Sequence, residues 1–340
     1  MLKQANLLGL VREHQNKNQE TDIYFSLSTC VEILTNNTSK DVFTLSFGKP
    51  TKLPKQIIHR HLPNKISNFI SFQPFKLDTI LISAKSGDVI DVFNAKSDIK
   101  NKEITTINDP YKVLEDKPFL CIRAASLVAE TGFEPSQDLK KAILINAEKL
   151  SYIDGKLIWR EFKRVLRAET PSLGIEFLRS AKILKIILPE LDTCFGVEQN
   201  KKYHSYTVYE HCLKACDECV ATDIRLRFSA LIHDVGKPNT KGTNSNGITF
   251  HKHEVVSTKM TKFIVSRLKF RKKDAQFVIL LVANHMYQYD RVWKDSTVKR
   301  FIRRVGLTKN YIGCLDQFPL FQLRHADRRG RGLEPLTRKQ

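Results

Sequence analysis

The chain has 340 residues, enough for two or three domains with cores of their own, and its 41% hydrophobic and 27% charged content is that of an ordinary globular protein. No run of about 18 uninterrupted apolar residues occurs, and the opening MLKQANLLGLVREHQNKNQ lacks the apolar block and cleavage site of a signal peptide, so no membrane association and a cytoplasmic location are expected. With 56 basic against 36 acidic residues, the net charge of +20 points to a polyanionic partner, and without a membrane anchor that partner is RNA or DNA.

Residues 1–100 have a mixed α/β texture. The β-rich runs Val42–Phe47 and Asp78–Ile82 sit between polar stretches, and Ser86-Gly87-Asp88 reads as a hairpin turn. From about residue 110 the texture is helical. The segment Pro118–Ala129 has helical spacing, a proline suited to the first turn, and Gly132 at its end. Further helices are predicted at 136–150, 157–168, 171–179 and 180–187, punctuated by Pro171, Gly174 and Pro189. Arginines bunch at Arg160, Arg164 and Arg167, a candidate electrostatic cradle for RNA, and again at 300–304 and 328–331. The seven cysteines lack a regular spacing and read as reduced thiols. Cys212, Cys216 and Cys219, spaced by four and three, share one helical face and read as core rather than as a zinc knuckle.

Six of the ten histidines fall between positions 204 and 285. His233-Asp234 follows the apolar run Phe228–Ile232 and precedes Val235-Gly236-Lys237-Pro238; His211 lies upstream, His253 and His285 downstream. Neutral imidazole and carboxylate together are good ligands for a divalent ion, and a His-Asp pair at the end of an apolar helix turns both side chains toward one cavity. His211, His233 and Asp234 are the candidate ligands. Such an ion activates water and polarises a phosphoryl oxygen. Lys237 and His253 would face the phosphate, with His285 as a further candidate catalytic side chain.

At these residues the chain resembles the HD domain of bacterial CCA-adding tRNA nucleotidyltransferases and poly(A) polymerases. Leu191–Val197 is similar to the loop leading into that domain, Arg324–Gly332 to its closing Ala-Asp-x-x-Gly-Arg segment, and Asp91–Asp98 to the turn after the catalytic palm. The resemblance implies a head with a Gly-Gly-x-x-Arg phosphate loop and an Asp-x-Asp pair for metal. The nearest matches are Leu8-Gly9-Leu10-Val11-Arg12 and Glu20-Thr21-Asp22, which keep one glycine and replace one carboxylate by glutamate. Gly9, Arg12 and Arg123 become the nucleotide-binding candidates, and Glu20 and Asp22 the candidate head metal ligands. The base-selecting Asp and Arg implied by the family appear as Lys117 and Leu120, or, sliding by one, as Asp116 and Phe119. Neither register supplies the arginine. The family also implies a late carboxylate near His285, a place that Asp290 could take.

The expected fold is therefore α+β: a small mixed-sheet nucleotidyltransferase-like head with degenerate motifs at 1–108, an all-helical neck and body that binds RNA at 109–200, and an all-helical HD domain at 201–340. The expected function is phosphohydrolysis dependent on Ni²⁺, Mn²⁺, Co²⁺ or Mg²⁺, acting on RNA 3′ ends, 2′,3′-cyclic phosphates or nucleotides, with tRNA as the RNA partner. The alternatives are an active CCA-adding enzyme using Glu20 and Asp22, and a catalytically inert tRNA-binding protein.

Overall fold

In the run TDIYFS the side chains of Thr21, Ile23 and Phe25 are buried while Asp22 is exposed, the period-two pattern of a strand covered on one face. The computed structural model describes residues 4–17, 21–26, 28–35, 42–48, 53, 57–62, 65–219, 223–287, 293–311 and 313–332. These fall into two units, 1–146 and 147–340.

In the first unit, helix α1 (Gln4–Lys17) leads to β1 (Thr21–Ser26), the middle of a five-stranded sheet. Buried Gln15 ties the two together, accepting from Ile23 N–H and donating to Thr21 O, both at 2.6 Å. Helix α2 (Ser28–Thr35) and strands β2 (Val42–Gly48), β3 (Ile57–Leu62), β4 (Leu81–Ser83) and β5 (Val89–Ile90) follow, with α3 (Ile66–Ser71) between β3 and β4. The sheet order is β3-β2-β1-β4-β5, antiparallel except for the parallel β2–β3 pair. The predicted strand at 78–82 starts later than expected. A 3₁₀ turn occupies Lys76–Asp78, and the Thr79 hydroxyl closes it on Lys76 O at 2.6 Å. The predicted turn at 86–88 joins β4 and β5, with Gly87 at φ 79° and Ser86 Oγ donating to Asp88.

Helices α4 (Ala95–Asn101), α5 (Pro110–Asp116), α6 (Leu120–Thr131) and α7 (Gln137–Asn146) complete this unit, with β6 (Glu103–Ile104) pairing in parallel with β7 (Glu134–Pro135). Pro110 opens α5 under an Asp109 cap. Gly132, left-handed at φ 69°, ends α6 as predicted. The helix predicted at 136–150 stops at Asn146, whose side chain turns back to Ala142 O, and a 3₁₀ segment continues to Tyr152.

The second unit is mostly helical: α8 (Gly155–Arg167), α9 (Pro171–Ser180), α10 (Leu184–Ile187), α11 (Pro189–Asp192), α12 (Val208–Asp217), α13 (Ile224–Ile232), α14 (His253–Arg267), α15 (Lys272–Asn284), α16 (Asp295–Val305) and α17 (Pro319–Arg329). The helix predicted at 180–187 is shortened to α10, because Lys182 takes a left-handed φ of 60°. The all-helical expectation also needs a correction. The hairpin β8 (Lys241–Asn244) and β9 (Gly247–Phe250) separates α13 from α14. One core gathers around Trp159, stacked 4.0 Å from Phe270 and packed on Phe228; another joins Leu226, Ala230, Leu281, Phe301, Leu320 and Leu323. Cys212, Cys216 and Cys219 are buried free thiols in the helical interior. Among the described residues, no helix is long and apolar enough to cross a membrane.

Candidate functional site

A capping box starts α12: Thr207 Oγ1 accepts from Glu210 N–H while Glu210 Oε2 accepts from Thr207 N–H at 2.9 Å, which sets His211 on the helix's first turn. Asp223 caps α13, accepting from the Arg225 and Leu226 amides. Every residue of α13 from Leu226 to Ile232 is buried, so the His233-Asp234 pair that follows is delivered into the interior. His253 opens α14 and His285 closes α15. Gly236 permits the crowding. A Cβ there would stand 2.5 Å from Ser257 N and 2.6 Å from His253 O.

The four imidazoles share one arrangement. Each faces a backbone carbonyl through Nδ1: His211 with Gly330 O at 3.1 Å, His233 with Ala230 O at 2.7 Å, His253 with Phe250 O at 2.8 Å and His285 with Val282 O at 2.7 Å. A carbonyl only accepts, so each Nδ1 carries a proton and each Nε2 is turned inward, where a metal would draw on its lone pair. The Nε2 atoms of His211 and His233 meet at 3.1 Å, those of His253 and His285 at 3.3 Å. Asp234 divides its oxygens between them: Oδ2 lies 3.4 Å from His211 and 3.2 Å from His233, Oδ1 3.2 Å from His253 and 3.5 Å from His285.

Asp327, from α17, adds Oδ1 at 3.3 Å from His211 and 3.9 Å from His233, while its Oδ2 is held by Arg324 at 2.7 Å. Burial disfavours charge on Asp234, but His233 and Lys237 outweigh it and hold its carboxyl well below the usual carboxylate range. Asp327 is likewise held down, against burial, by His211 and His233. Burial lowers His211 and His285, whereas for His233 the carboxylates of Asp234 and Asp327 overcome burial and raise it. His204, its ring 5.0 Å from that of His211, is pushed down to about 3 by burial, then by Lys237 and His211, and stays neutral. The Lys237 ammonium sits 2.6 Å from both Asp234 Oδ2 and Gln199 Oε1. Lys237, Gln199, His204, His233, Asp234, His253, His285 and Asp327 line a cavity of about 280 Å³ that also reaches Arg331. Two sets of ligand atoms, each gathered within 4.8 Å, suit a divalent ion: His211, His233 and Asp234, and Asp234, His253 and His285. Buried imidazoles gathered about carboxylates form a donor set that fits such an ion.

The structure thus brings together His211, His233, Asp234, Lys237, His253 and His285. Asp290 and Glu20 lie outside the described residues. Among the described residues, Asp327 is the carboxylate that joins Asp234 at the site; it lies in the closing Arg324–Gly332 segment but was given no role from sequence. Elsewhere the geometry departs from the reading. Gly9 and Arg12 are exposed positions inside helix α1, where the resemblance implies a loop. Arg123 is buried in the first unit, with its guanidinium engaged by Asp78, by Glu130 at 3.1 Å and by Ser126 at 2.6 Å, so it is not presented to a nucleotide. Asp22 is exposed on β1. Leu120, one of the two positions where the resemblance implies a base-selecting arginine, is buried, and Asp116 and Lys117 are exposed.

On α8, Arg160 and Arg164 both pair with buried Glu161, at 3.0 and 3.1 Å, and Arg167 is exposed. Beside them a groove of about 700 Å³ is lined by Lys156, Arg160, Lys163, Lys269 and Arg271. Lys163 is lowered by burial and by the neighbouring Arg167 and Arg271.

Two family models match the chain, one described as a probable RNA and SrmB-binding site of polymerase A at residues 132–195 and one as the HD domain at 202–308. The A-adding tRNA nucleotidyltransferase of Deinococcus radiodurans is 26% identical over 72% of this chain and 57% of its own length. The multifunctional CCA protein of Hahella chejuensis is 28% identical over 72% of this chain and 58% of its own. The chain therefore spans less than two thirds of these relatives. A crystal structure of the Bacillus stearothermophilus CCA-adding enzyme in complex with CTP superposes with a TM-score of 0.53 at 15% identity, covering 95% of this chain and 81% of that one, a likeness of fold. The helical unit and its His-Asp cluster agree with the HD-domain match at residues 202–308, and over 72% of its length the chain is similar to CCA-adding tRNA nucleotidyltransferases.

Proposed function

We propose that residues 201–340 act as a metal-dependent phosphohydrolase on phosphate esters at RNA 3′ ends, on 2′,3′-cyclic phosphates or on nucleotides, with residues 109–200 as an RNA-binding neck and body and residues 1–108 as a degenerate transferase head. One observation carries the reading: buried imidazoles, each fixed by a carbonyl at Nδ1, turn Nε2 onto two ionised carboxylates. His211, His233, Asp234 and Asp327 would hold the ion. When bound, a divalent ion there supplies Lewis acidity to water and to a phosphoryl oxygen. Lys237, 2.6 Å from Asp234 at the cavity wall, is placed to meet phosphate charge. His204, which stays neutral, leaves a buried Nδ1 unpartnered at that wall. A cavity of about 280 Å³ suits a terminal phosphate with its sugar rather than a duplex.

The groove beside Arg160 is the proposed path of an RNA backbone. Buried Leu120 cannot read a base edge, so ordered addition of C, C and A is not expected of the head. The names of the relatives favour the second reading, an active transferase. The purified chain should hydrolyse a 2′,3′-cyclic nucleotide with Mn²⁺, Ni²⁺ or Co²⁺, and His233→Ala or Asp234→Ala should abolish turnover while far-UV dichroism is unchanged. Undiminished turnover in either variant refutes the first reading. Faithful CCA completion of a truncated tRNA, read by sequencing its 3′ ends, establishes the second.

A further inference from the structure

The cavity beside the His-Asp cluster has two chemically different sides. His233, Asp234, His253 and His285 form the inner one and are buried. The outer one carries Tyr203, Ile248, Phe250 and Met286, with Tyr203 52% and Met286 44% exposed. A phosphate gains nothing from apolar neighbours, whereas an apolar patch at the rim of a polar cavity marks a ligand groove. Tyr203 precedes α12, Ile248 and Phe250 belong to β9, and Met286 follows α15, so three separate segments converge there. Asn200 ties two of them together, its Nδ2 donating to Asn246 O in the β8–β9 turn at 2.7 Å. The Lys237 ammonium lies 5.4 Å from the centre of the Phe250 ring, close enough for a ribose to join a phosphate at one to a base at the other.

Two buried polar atoms of cavity residues, His204 Nδ1 and Arg331 Nε, have no hydrogen-bond partner among the described residues. Sugar hydroxyls can serve both, because a hydroxyl donates and accepts. Reading the edge of a base takes a fixed pairing of donor and acceptor, such as an uncommitted amide offers. The two amides at the cavity are committed at both ends: Gln199 accepts from Lys237 and donates to Tyr206 O, and Asn200 donates to Asn246 O and accepts from Lys202 N–H. The Thr249 hydroxyl and the neutral His204 ring can each donate or accept, so they suit any base.

We propose that Tyr203, Ile248, Phe250 and Met286 form a subsite for the base of the nucleoside that carries the phosphate, a subsite that requires a base but does not choose among the four. This rests on the phosphohydrolase reading and narrows its substrate to nucleoside phosphates over sugar phosphates. Stacking on an aromatic side chain tolerates every base, since each has a π-face.

The test compares the four nucleoside 2′,3′-cyclic phosphates with methyl ribofuranoside 2,3-cyclic phosphate, which has the same ester and charge but no base. Turnover is measured on the full chain with Mn²⁺, and binding of the corresponding 2′-monophosphates is measured by calorimetry. The base-less ester should lose about 5- to 150-fold in kcat/KM, through KM, and its monophosphate should bind more weakly by a similar factor. The four nucleotides should agree within about tenfold, less than a hydrogen-bonded base contact confers. Tyr203→Ala should raise KM for all four and narrow the gap to the base-less ester, and Tyr203→Phe should restore it. Phe263→Ala, 71% exposed on α14 and outside the cavity, is the control. Equal turnover and binding with and without a base overturn the subsite and leave the phosphohydrolase reading standing. A preference for one base above about tenfold overturns its tolerance. Base-dependent binding without turnover upholds the subsite and overturns the phosphohydrolase reading, and neither binding nor turnover overturns both. The wild-type ratios decide the matter even where a variant misfolds.

Discussion

Gly236→Ala tests the packing that brings α14 to the His-Asp turn. The new methyl would lie 2.5 Å from Ser257 N, 2.6 Å from His253 O and 2.9 Å from Ser257 Oγ, and two of these three atoms are backbone. Restoring an ordinary contact of 3.4 Å requires α14 to move away by about 0.9 Å at its first turns, where His253 sits. Overpacking of this kind costs roughly 1–3 kcal/mol, and loss of the 2.9 Å bond from Gly236 N–H to Ser257 Oγ adds about 1 kcal/mol. For a unit of this size the expected fall in Tm is roughly 5–12 °C. Metal affinity should fall with it, because a shift of that size exceeds the tolerance of a coordination site, about 0.5 Å. Thermal denaturation and Mn²⁺ titration of the two proteins measure both effects. Gly9→Ala is the control, since its methyl meets nothing within 4 Å in α1 and should stabilise by about 0.5–1 kcal/mol. A Gly236→Ala chain with the Tm and Mn²⁺ affinity of the wild type would refute the argument.

Arg123→Met should strand Asp78 and Glu130 as buried charges and destabilise the first unit by roughly 3–5 kcal/mol in urea unfolding; a variant as stable as the parent would mean that the cluster is not structural. Thiol reagent at pH 8 should modify Cys314 quickly and the six buried cysteines only after denaturation. Burial pushes Cys121 and Cys219 up to about 12, above the free-thiol value of about 8.5, so their contribution to stability is complete below pH 8.5 and is lost as pH rises toward 12. Midpoints of urea unfolding between pH 8 and 10 should therefore decline; a flat profile contradicts the assignment. Binding of tRNA should weaken steeply with salt, each neutralised phosphate adding about 0.7–0.9 to the log–log slope, and a salt-independent affinity measured by filter binding would exclude an electrostatic cradle.

The parts of the site that were legible in the sequence are those whose geometry is local. His233-Asp234 follows a buried apolar helix, and its direction is set by the chain immediately around it. The place of Asp327 beside His211 was not legible, because it depends on how α17 packs against α12. The hairpin at 241–250 did carry a signal, the turn residues Asn244-Ser245-Asn246-Gly247, which the surrounding helical periodicity obscured. Gly9 suggested a loop, yet Leu8 and Val11 have helical spacing and a helix tolerates one exposed glycine. The left-handed turn at Lys182, which shortens α10, has no signature in a lysine. In the first unit the alternation of Val42–Phe47 sufficed for β2, whereas the fate of Arg123 hung on Asp78, 45 residues earlier.

The carbonyl that fixes the His211 ring belongs to Gly330, 119 residues further along the chain. Gly330 can lie there only because a side chain at that position would strike Ala215 on α12. Closing so long a loop is entropically costly, and the contact exists only while α17 is packed on α12. The imidazole is therefore free to hold its proton on either nitrogen until α17 docks, and the docking selects the tautomer. A metal bound through His211 would depend on that docking, so chains with α17 undocked should compete poorly for metal with fully folded ones.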